Sequence, residues 1–353
     1  MTTHEIEVTA PVNLCLADGR TLNPAARGWS RVPLLTANLT GRRVRTKRWD
    51  YWAIVSEDLA VAITYGDVGY LGNVAMWWAD LNTGVTGGRT VSVPGGRGLS
   101  LPDHPGSEPL TFRSKSLDVD LVDETIDGTD GTTFTARWTE SDGSLGTLDA
   151  RVDLPEGHES LNVVIPWDDR KFQYTSKHQA RPARGVVRVG DTERTFGTHG
   201  KAEPDGNEAW GVLDVGRGRW PYSTRWNWGG GAGRASDGTI IGLQFGAKWT
   251  EGTGFTENGV IVDGRLTKIG DELVWDYDWD HPLRPWRVRH PDGSLDVTLS
   301  PKHDRHTKVE AVVLGSEVHQ VFGTWAGMVT ADDGTIHRVE ALPGFAEESR
   351  SRW

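Results

Sequence analysis

The stretch WTEGTGFTENG, residues 249–259, places two carboxylates and an amide close together. Glu251 and Glu257 could act as general acid and general base, as a glycosidase requires of two carboxyl groups about 5–10 Å apart. Asn258 could orient a substrate carbonyl. The three glycines are equally typical of a turn, in which Glu251 would be a solvated loop charge and Glu257 a structural hydrogen-bond partner. The spacing leaves both interpretations open and predicts Glu251 in a connection and Glu257 on the following strand.

A second proton-transfer candidate lies in SEVHQVFGTWAG, residues 316–327. Side chains alternate between the two faces of a strand, so Glu317 and His319 would share one face and Gln320 would lie on the other. A neighbouring carboxylate raises the pKa of an imidazole, which suits the pair for proton transfer. A solvent-facing histidine beside a glutamate would show the same pattern. The predicted catalytic residues are Glu257, Asn258 and His319.

Aromatic and basic side chains form the predicted ligand-binding set. The segments RTKRWDYWAIV (45–55) and STRWNWGGG (223–231) alternate these residues, which would place their rings on one strand face. A buried arginine in the segment 213–233 needs a carboxylate such as Asp214, so a structural Arg–Asp pair is as good an interpretation as a ligand clamp. The set is Lys47, Trp49, Arg217, Tyr222, Trp226, Trp228, Trp249 and Trp286.

Other kinds of site are not indicated. DYDWDH begins like a calcium loop, but His281 at its sixth position and Arg287 at its twelfth exclude an EF-hand. The eleven histidines show no zinc-binding spacing, and no Gly-Lys-Ser/Thr follows the glycines of residues 213–233. The sequence therefore predicts no metal and no cofactor.

Composition narrows the class of protein. A formal net charge of −11 argues against a nucleic-acid partner, which would need a basic surface. The single cysteine, Cys15, cannot form an intramolecular disulfide, and no apolar run is long enough to span a membrane. These features predict a cytoplasmic protein without stable membrane insertion, and they leave its oligomeric state open. Seventeen tryptophans could line a cavity for an apolar or sugar-like ligand, or could simply fill wide β cores.

The pattern along the chain predicts an all-β fold. Asp-Gly turns recur between alternating segments, and this combination is the strongest short-range signal for a β-hairpin. In IIGLQFGAKW (240–249) the alternation places Ile241, Phe245 and Trp249 on one face. The best helix candidates are short pieces near 22–28 and 343–350. The segment VIPWDDRKF (164–172) predicts a division into an N-terminal β-barrel unit, 1–165, and a C-terminal one, 166–353.

An ordered set of short motifs resembles a known bacterial family, the domain of unknown function 2804. The motifs are KRW (47–49), GRGRWPY (216–222), WNW (226–228), EN (257–258), PW (285–286), HQVFG (319–323) and GFAEESRSRW (344–353). More distantly, the family is similar to two-barrel lipocalin-like proteins such as tocopherol cyclase, carotenoid hydratase and fungal Diels–Alderases. That kinship implies two antiparallel β-barrel units and a cofactor-free pocket for an apolar molecule.

The leading hypothesis is a cofactor-independent enzyme that cyclises, hydrates or isomerises an apolar small molecule in a tryptophan-lined barrel. In it, Glu257 or His319 transfers the proton and Asn258 orients a carbonyl. One alternative is a noncatalytic lipocalin-type binding protein with the same pocket. Another is a carbohydrate-active protein that uses Glu251 and Glu257 as its carboxylate pair. If the polar faces of the strands line the cavity instead, the site consists of the residues on those faces and not of the set named above.

Overall fold

The computed structural model describes residues 3–40, 45–197, 208–310 and 315–352. Nearly all regular structure there is β-strand, and the described residues contain one short 3-10 helix, Pro24–Ala26, and no helix long and apolar enough to cross a membrane. The first strands are β1 (Val12–Asn13), β2 (Trp29–Ser30), β3 (Leu35–Thr36), β4 (Thr46–Val55), β5 (Leu59–Asp67), β6 (Leu71–Asp80), β7 (Thr86–Pro94), β8 (Leu110–Arg113), β9 (Leu117–Ile126), β10 (Thr129–Thr139), β11 (Leu145–Leu154), β12 (Leu161–Pro166), β13 (Phe172–Val189) and β14 (Thr192–Phe196). The remaining strands are β15 (Ala209–Arg219), β16 (Ser223–Arg234), β17 (Ile240–Ala247), β18 (Asn258–Val262), β19 (Arg265–Ile269), β20 (Val274–Asp276), β21 (Trp286–Arg289), β22 (Leu295–Glu310), β23 (Gly315–Thr330) and β24 (Ile336–Arg352).

Two large antiparallel sheets contain almost all of these strands. The first has the order β7-β6-β5-β4-β15-β13-β11-β10-β9-β8, with β2, β12 and β14 attached beside this path. Its end strand β7 contacts β9 and β10 near the opposite end, so the sheet curls. The second has the order β19-β18-β17-β16-β24-β23-β22-β21-β20. The prediction of an all-β chain with two antiparallel barrel-like units is confirmed.

The predicted Asp-Gly turns connect neighbouring strands of these sheets. The predicted turns are those at 17–20, 141–144, 236–239, 262–265, 291–294 and 332–335. The last five join sequential antiparallel strands: β10 to β11, β16 to β17, β18 to β19, β21 to β22 and β23 to β24. In the tightest of them Asp263 and Gly264 have φ angles of 44° and 82°, as a primed two-residue turn requires. Aspartate and glycine tolerate these angles, so local turn chemistry sets the register of the hairpin.

Each sheet encloses its own apolar core, and a third core lies between the sheets. Trp52 and Ile54 of β4 point into the first core, whereas Tyr51 and Ala53 of the same strand point toward the second sheet. There they pack with residues such as Trp228 of β16 and with Phe322 and Phe345. Strands β4 and β16 are thus covered on both faces, and the layer between the sheets can hold a site shared by both.

The structure contradicts one detail of the predicted organisation, a helix, and does not test another, the boundary between the two units. The prediction of a helix near 343–350 is wrong, because this segment lies within β24, which is hydrogen-bonded to strands on both of its edges. Pairing on both sides overrides local helix propensity. The predicted boundary between residues 165 and 166 falls within β12, and the change from the first sheet to the second comes after Arg219. The division into units 1–165 and 166–353 stays a prediction about folding units.

Candidate functional site

A cavity of about 310 Å³ lies between the two sheets. Its walls come from β4, β5, β6, β13 and β15 of the first sheet and from β16, β22, β23 and β24 of the second. The cavity therefore lies outside the apolar core of each sheet, which corrects the expectation of a pocket inside one barrel. Its size is at the lower end of that typical of small-molecule sites.

Indole rings form much of the wall. Trp220 lies at the centre of the cluster, stacked on Trp249 with ring centroids 5.3 Å apart and planes 19° apart. Its centroid is 5.6 Å from that of Trp49 and 5.7 Å from that of Trp226. Glycine makes room for one of these rings, since a Cβ atom at Gly216 would lie 2.1 Å from the Trp49 ring. This wall is aromatic and suited to a flat apolar ligand.

The indole N–H groups point at polar side chains of the cavity. Trp249 donates to Glu257 Oε1 at 2.7 Å and Trp226 to Glu347 Oε1 at 2.9 Å. Trp49 donates to Asp214 Oδ2 at 3.1 Å. The rings thus hold three carboxyl groups in place while their apolar faces remain available to a ligand.

A buried ammonium lies among these carboxyl groups. Lys177 of β13 has its Nζ atom 2.9 Å from Asp214 Oδ1 and 3.3 Å from Glu257 Oε2, and 4.3 Å from the centroid of the Trp228 ring. Burial alone lowers the pKa of Lys177, but attraction to Asp214 and Glu257 outweighs burial, and the pKa is raised. Lys177 therefore stays charged at neutral pH.

Glu257 has the properties of a usable acid. Its side chain lies over Gly246, where a Cβ atom would be 2.1 Å from Oε1, and it is 1% exposed. Burial raises the pKa of Glu257 from 4.5 to about 7, although Lys177 opposes the rise. Its Oε2 atom lies 3.3 Å from Lys177 Nζ in an ion pair and has no other partner among the described residues. One oxygen is therefore anchored and the other can exchange a proton with a ligand.

Glu347 is a second carboxyl group of the same kind. Burial raises its pKa to about 7, against the hydrogen bond from Trp226 and the charge of Lys177. On the neighbouring strand, Gln320 Oε1 accepts hydrogen bonds from Tyr51 at 3.2 Å and from Arg305 at 3.4 Å. Thr307 and Arg305 are the exposed and half-exposed lining residues of β22, so they mark the side of the cavity nearest to solvent.

Some of the predicted site residues come together in this cavity. The residues that line it are Trp49, Trp226, Trp228, Trp249 and Glu257. The residues that do not are Lys47, Arg217, Tyr222, Trp286, Asn258 and His319. Glu251, the other carboxylate of WTEGTGFTENG, is exposed in the connection between β17 and β18 and does not line the cavity.

Asn258 and His319 lie away from the cavity for identifiable reasons. Both amide atoms of Asn258 are engaged, since Oδ1 accepts from Gly246 N at 2.8 Å and Nδ2 donates to Asp271 O at 3.1 Å. Asn258 therefore fixes the start of β18 directly after Glu257. His319 contacts Asp304, while Gln320 lines the cavity, because adjacent residues of β23 point to opposite faces.

Lys47 and Arg217 are buried beside the cavity, in the first sheet. Lys47 donates to Val68 O at 2.7 Å, and burial lowers its pKa to about 8. Arg217 is fully buried and pairs with Asp50 at 2.7 Å. The structural Arg–Asp pair therefore exists, but with Asp50 in place of the expected Asp214, whose partner is Lys177.

The other two predicted aromatic residues belong to different surroundings. Trp286 lies in the core of the second sheet, stacked on Tyr277 with centroids 3.9 Å apart, and donates to Pro282 O. Tyr222 is 57% exposed, in the connection between β15 and β16.

Trp249 reaches the cavity by leaving the face on which alternation placed it. Ile241 and Phe245 point into the core of the second sheet. At Lys248 the backbone adopts a φ of 73°, which is rare for a residue with a side chain, and strand β17 has already ended at Ala247. The alternation is broken there, so Trp249 packs with Trp167 and Trp220.

Sequence reasoning missed Lys177 and Glu347 and gave Asp214 a different partner. Lys177 belongs to the alternation Gln173, Thr175, Lys177 along β13, all of which line the cavity. Glu347 lies in the motif GFAEESRSRW, which carried the family resemblance. A charged residue within a buried central strand was the available signal in both cases, since such residues are rarely buried without a partner.

The chain matches the family model DUF2804, domain of unknown function, over residues 5–353, and it belongs to that family. This confirms the prediction made from the motifs. No curated protein matches the sequence.

Several solved structures are similar to the chain. One is described as an AttH from Nitrosomonas europaea, with 13% identity, coverage of 88% of this chain and 93% of that chain, and a TM-score of 0.49. CghA with Sch210972 has 11% identity, coverage of 88% and 89%, and a TM-score of 0.40. Kievitone hydratase from Nectria haematococca has 9% identity, coverage of 86% and 88%, and a TM-score of 0.48. Likenesses at this level carry no information about substrate or mechanism.

Proposed function

We propose that this member of the DUF2804 family converts an apolar, unsaturated small molecule by cyclisation, hydration or isomerisation, without a cofactor, in the cavity between its sheets. The observation that carries the proposal is the buried Glu257 carboxyl group. It lines an indole-walled cavity, its Oε2 atom is paired only with the Lys177 ammonium among the described residues, and burial raises its pKa to about 7.

The proposed reaction begins with proton transfer from Glu257. A group with a pKa near the working pH is partly protonated and also regenerates readily, which is the optimum for a general acid. The O–H bond of Glu257 breaks as a C–H or O–H bond forms on the substrate, and the substrate gains a positive charge. The faces of Trp226 and Trp249 would stabilise that charge by cation–π attraction.

The second half of the reaction restores the proton. In cyclisation or isomerisation, the cation loses a proton to the Glu257 carboxylate, which restores the acid. In hydration, a water molecule adds to the cation, and the resulting oxonium gives one proton to the Glu257 carboxylate. Lys177 stabilises the Glu257 anion between the two steps, at a distance of 3.3 Å. The balance requires no oxidant or reductant.

The ligand of this cavity, and whether it is released altered, distinguish the two alternative functions. A noncatalytic binding protein would use the aromatic wall but would release its ligand unaltered. The carbohydrate alternative relied on Glu251 with Glu257, and Glu251 is exposed outside the cavity. A sugar bound to the purified protein would favour the carbohydrate alternative.

The first experiment is mass spectrometry of small molecules extracted from the protein purified from the organism in which it occurs. We expect an apolar, unsaturated compound that is lost in Trp226→Ala, because Trp226 is half-buried in the cavity wall. Trp78→Ala is the matched control, since Trp78 is half-buried against the core of the first sheet. A bound sugar, or retention of the compound by Trp226→Ala, would contradict the proposal.

Turnover of that compound then tests the acid. Glu257→Gln should lower the rate by about 10²- to 10⁴-fold, the usual contribution of a general acid, with the ligand still bound. Glu251→Gln, in the same connection but exposed, should leave the rate unchanged. Equal rates in wild type and Glu257→Gln would show that Glu257 is not the acid, and a compound returned unaltered by the wild type would identify a binding protein.

A further inference from the structure

The strands β22 and β23 carry a second cluster of functional groups on the face opposite the cavity. Their antiparallel register places His306 directly across from His319. Glu317 lies two residues before His319, so it points to the same face. One ligand atom from each of His306, Glu317 and His319 lies within 4.8 Å of the others.

We propose that His306, Glu317 and His319 bind a divalent transition-metal ion. Two imidazoles and a carboxylate form a ligand set that such ions commonly use, with at least one coordination position left for water. Glu317 and His319 lie at alternate positions of β23 and His306 lies opposite on β22, so all three side chains are on the same face of the sheet. The proposal does not depend on the proposed function, because the cluster and the cavity lie on opposite faces of the sheet.

The groups behind the three ligands orient them as metal sites require. Asp304 Oδ2 lies 2.7 Å from His319 Nδ1, which assigns the imidazole proton to Nδ1 and leaves the lone pair on Nε2. Lys308 donates to Glu317 Oε2 at 3.1 Å, and His306 Nε2 lies 3.1 Å from the other oxygen, Oε1. Strand β22 therefore supplies Asp304 and Lys308, which fix the two ligands of β23, and Glu317 in turn contacts His306.

Access and ring orientation are compatible with an incoming ion. The side chains of His306 and Glu317 are 43% and 28% exposed, so an ion reaches them from solvent. The two imidazole planes are parallel within 3°, with centroids 4.2 Å apart. Convergence on one ion requires rotation about the Cβ–Cγ bonds, a torsion with broad preferences. In the sequence the two histidines are thirteen residues apart, and only the strand register brings them together, which is why spacing alone predicted no metal.

Isothermal titration of the full-length, chelator-treated protein with Zn²⁺ tests the site. We expect one ion per chain in the wild type and no measurable binding in His306→Ala or His319→Ala. Asp304→Asn should weaken binding by about 10- to 100-fold, the usual effect of removing the carboxylate behind a ligating histidine. His281→Ala is the matched control, because His281 is an exposed histidine beside Asp278 and does not belong to the three-residue cluster, and this variant should bind as the wild type does.

A second measurement keeps the test independent of the histidine variants. Co²⁺ added to the wild type should give visible absorption bands typical of bound imidazole and carboxylate, and Glu317→Gln should change or abolish them. No Zn²⁺ binding by the wild type would overturn the proposal. Binding that survives in both histidine variants, or Co²⁺ spectra unaffected by Glu317→Gln, would also overturn it.

Discussion

Glu347 and Glu348 are adjacent on β24, yet they lie in opposite electrostatic surroundings. Glu347 points into the cavity, and burial raises its pKa to about 7. Glu348 points to the other face, where Arg225, Lys248 and Arg350 lie within 2.6–2.9 Å of its oxygens. Burial alone would raise the pKa of Glu348, but hydrogen bonds from Arg350, Tyr277 and Arg225 outweigh it and lower the pKa to about 2.

The difference lies in how many cations each face provides. On the cavity face, two cations, the buried Lys177 and the half-exposed Arg305, serve the three carboxyl groups of Asp214, Glu257 and Glu347. On the other face, three cations surround one carboxylate. Burial with few cations keeps Glu257 and Glu347 partly protonated at neutral pH, whereas an excess of cations keeps Glu348 ionised. The cavity face is therefore suited to proton transfer and the other face to structural support.

Removing one ammonium from each face should give the largest contrast in stability. Lys177→Met leaves Asp214 and Glu257 buried without their cation, and breaking a buried pair in this way costs roughly 3–5 kcal/mol. Lys248→Met should cost about 1 kcal/mol or less, because Glu348 keeps both arginines. Urea unfolding at pH 8, where Glu257 is ionised, measures both. Equal losses would show that the two faces are not compensated differently.

Neutralising the adjacent glutamates should give the reverse contrast. Glu348→Gln removes an ionised group that three cations share, and a pKa lowered from 4.5 to about 2 corresponds to roughly 3 kcal/mol of the free energy of unfolding at pH 7. Glu347→Gln is neutral at every pH, so it should remove the cost of ionising a buried group and raise the free energy of unfolding at pH 7 by up to roughly 3 kcal/mol. Denaturant unfolding of the two variants at pH 7 checks this, and a larger loss for Glu347→Gln would contradict it.

The pH dependence of stability should separate the two faces. Glu257 and Glu347 have folded pKa values of about 7, above the ordinary 4.5, so the stability they contribute is complete below pH 4.5 and is lost as pH rises through 7. Between these values each group lowers the free energy of unfolding by up to about 1.4 kcal/mol per pH unit. The contribution of Glu348 to the free energy of unfolding has the opposite pH dependence, since it is lost as pH falls from 4.5 through about 2.

Urea unfolding of the wild type and Glu347→Gln between pH 5 and pH 8 measures this slope. The free energy of unfolding should fall less steeply with pH in Glu347→Gln than in the wild type, because one of the two titrating groups is missing. Identical slopes in the two proteins would mean that Glu347 titrates at its ordinary pH in the folded state.

The sequence contained the turns and the strand alternation but lacked the information that selects a face. Asp263 and Gly264 fix a hairpin through local backbone preferences, and Trp226 and Trp228 share a face because they lie two positions apart on a strand. Whether that face lines a cavity depends on which sheets pack together. The pairing of Lys177 with Asp214 depends on the register of β13 and β15, which are adjacent only in the folded sheet. The positive φ of Lys248, which redirects Trp249, has no local sequence signal comparable to glycine.

The smallest contrast concerns His319 and Gln320, which the alternation of β23 points to opposite faces. Gln320→Ala should weaken binding of the co-purifying compound by about 2- to 10-fold, the range of one hydrogen bond, because Gln320 lines the cavity and holds Tyr51. His319→Ala should change that affinity by less than about twofold, since His319 contacts Asp304 and His306 on the other face. Fluorescence titration in the presence of a chelator excludes any contribution of metal bound at His319. A larger effect of His319→Ala than of Gln320→Ala would place the ligand on the face of the sheet that carries Glu348, and the acid would then have to be sought there.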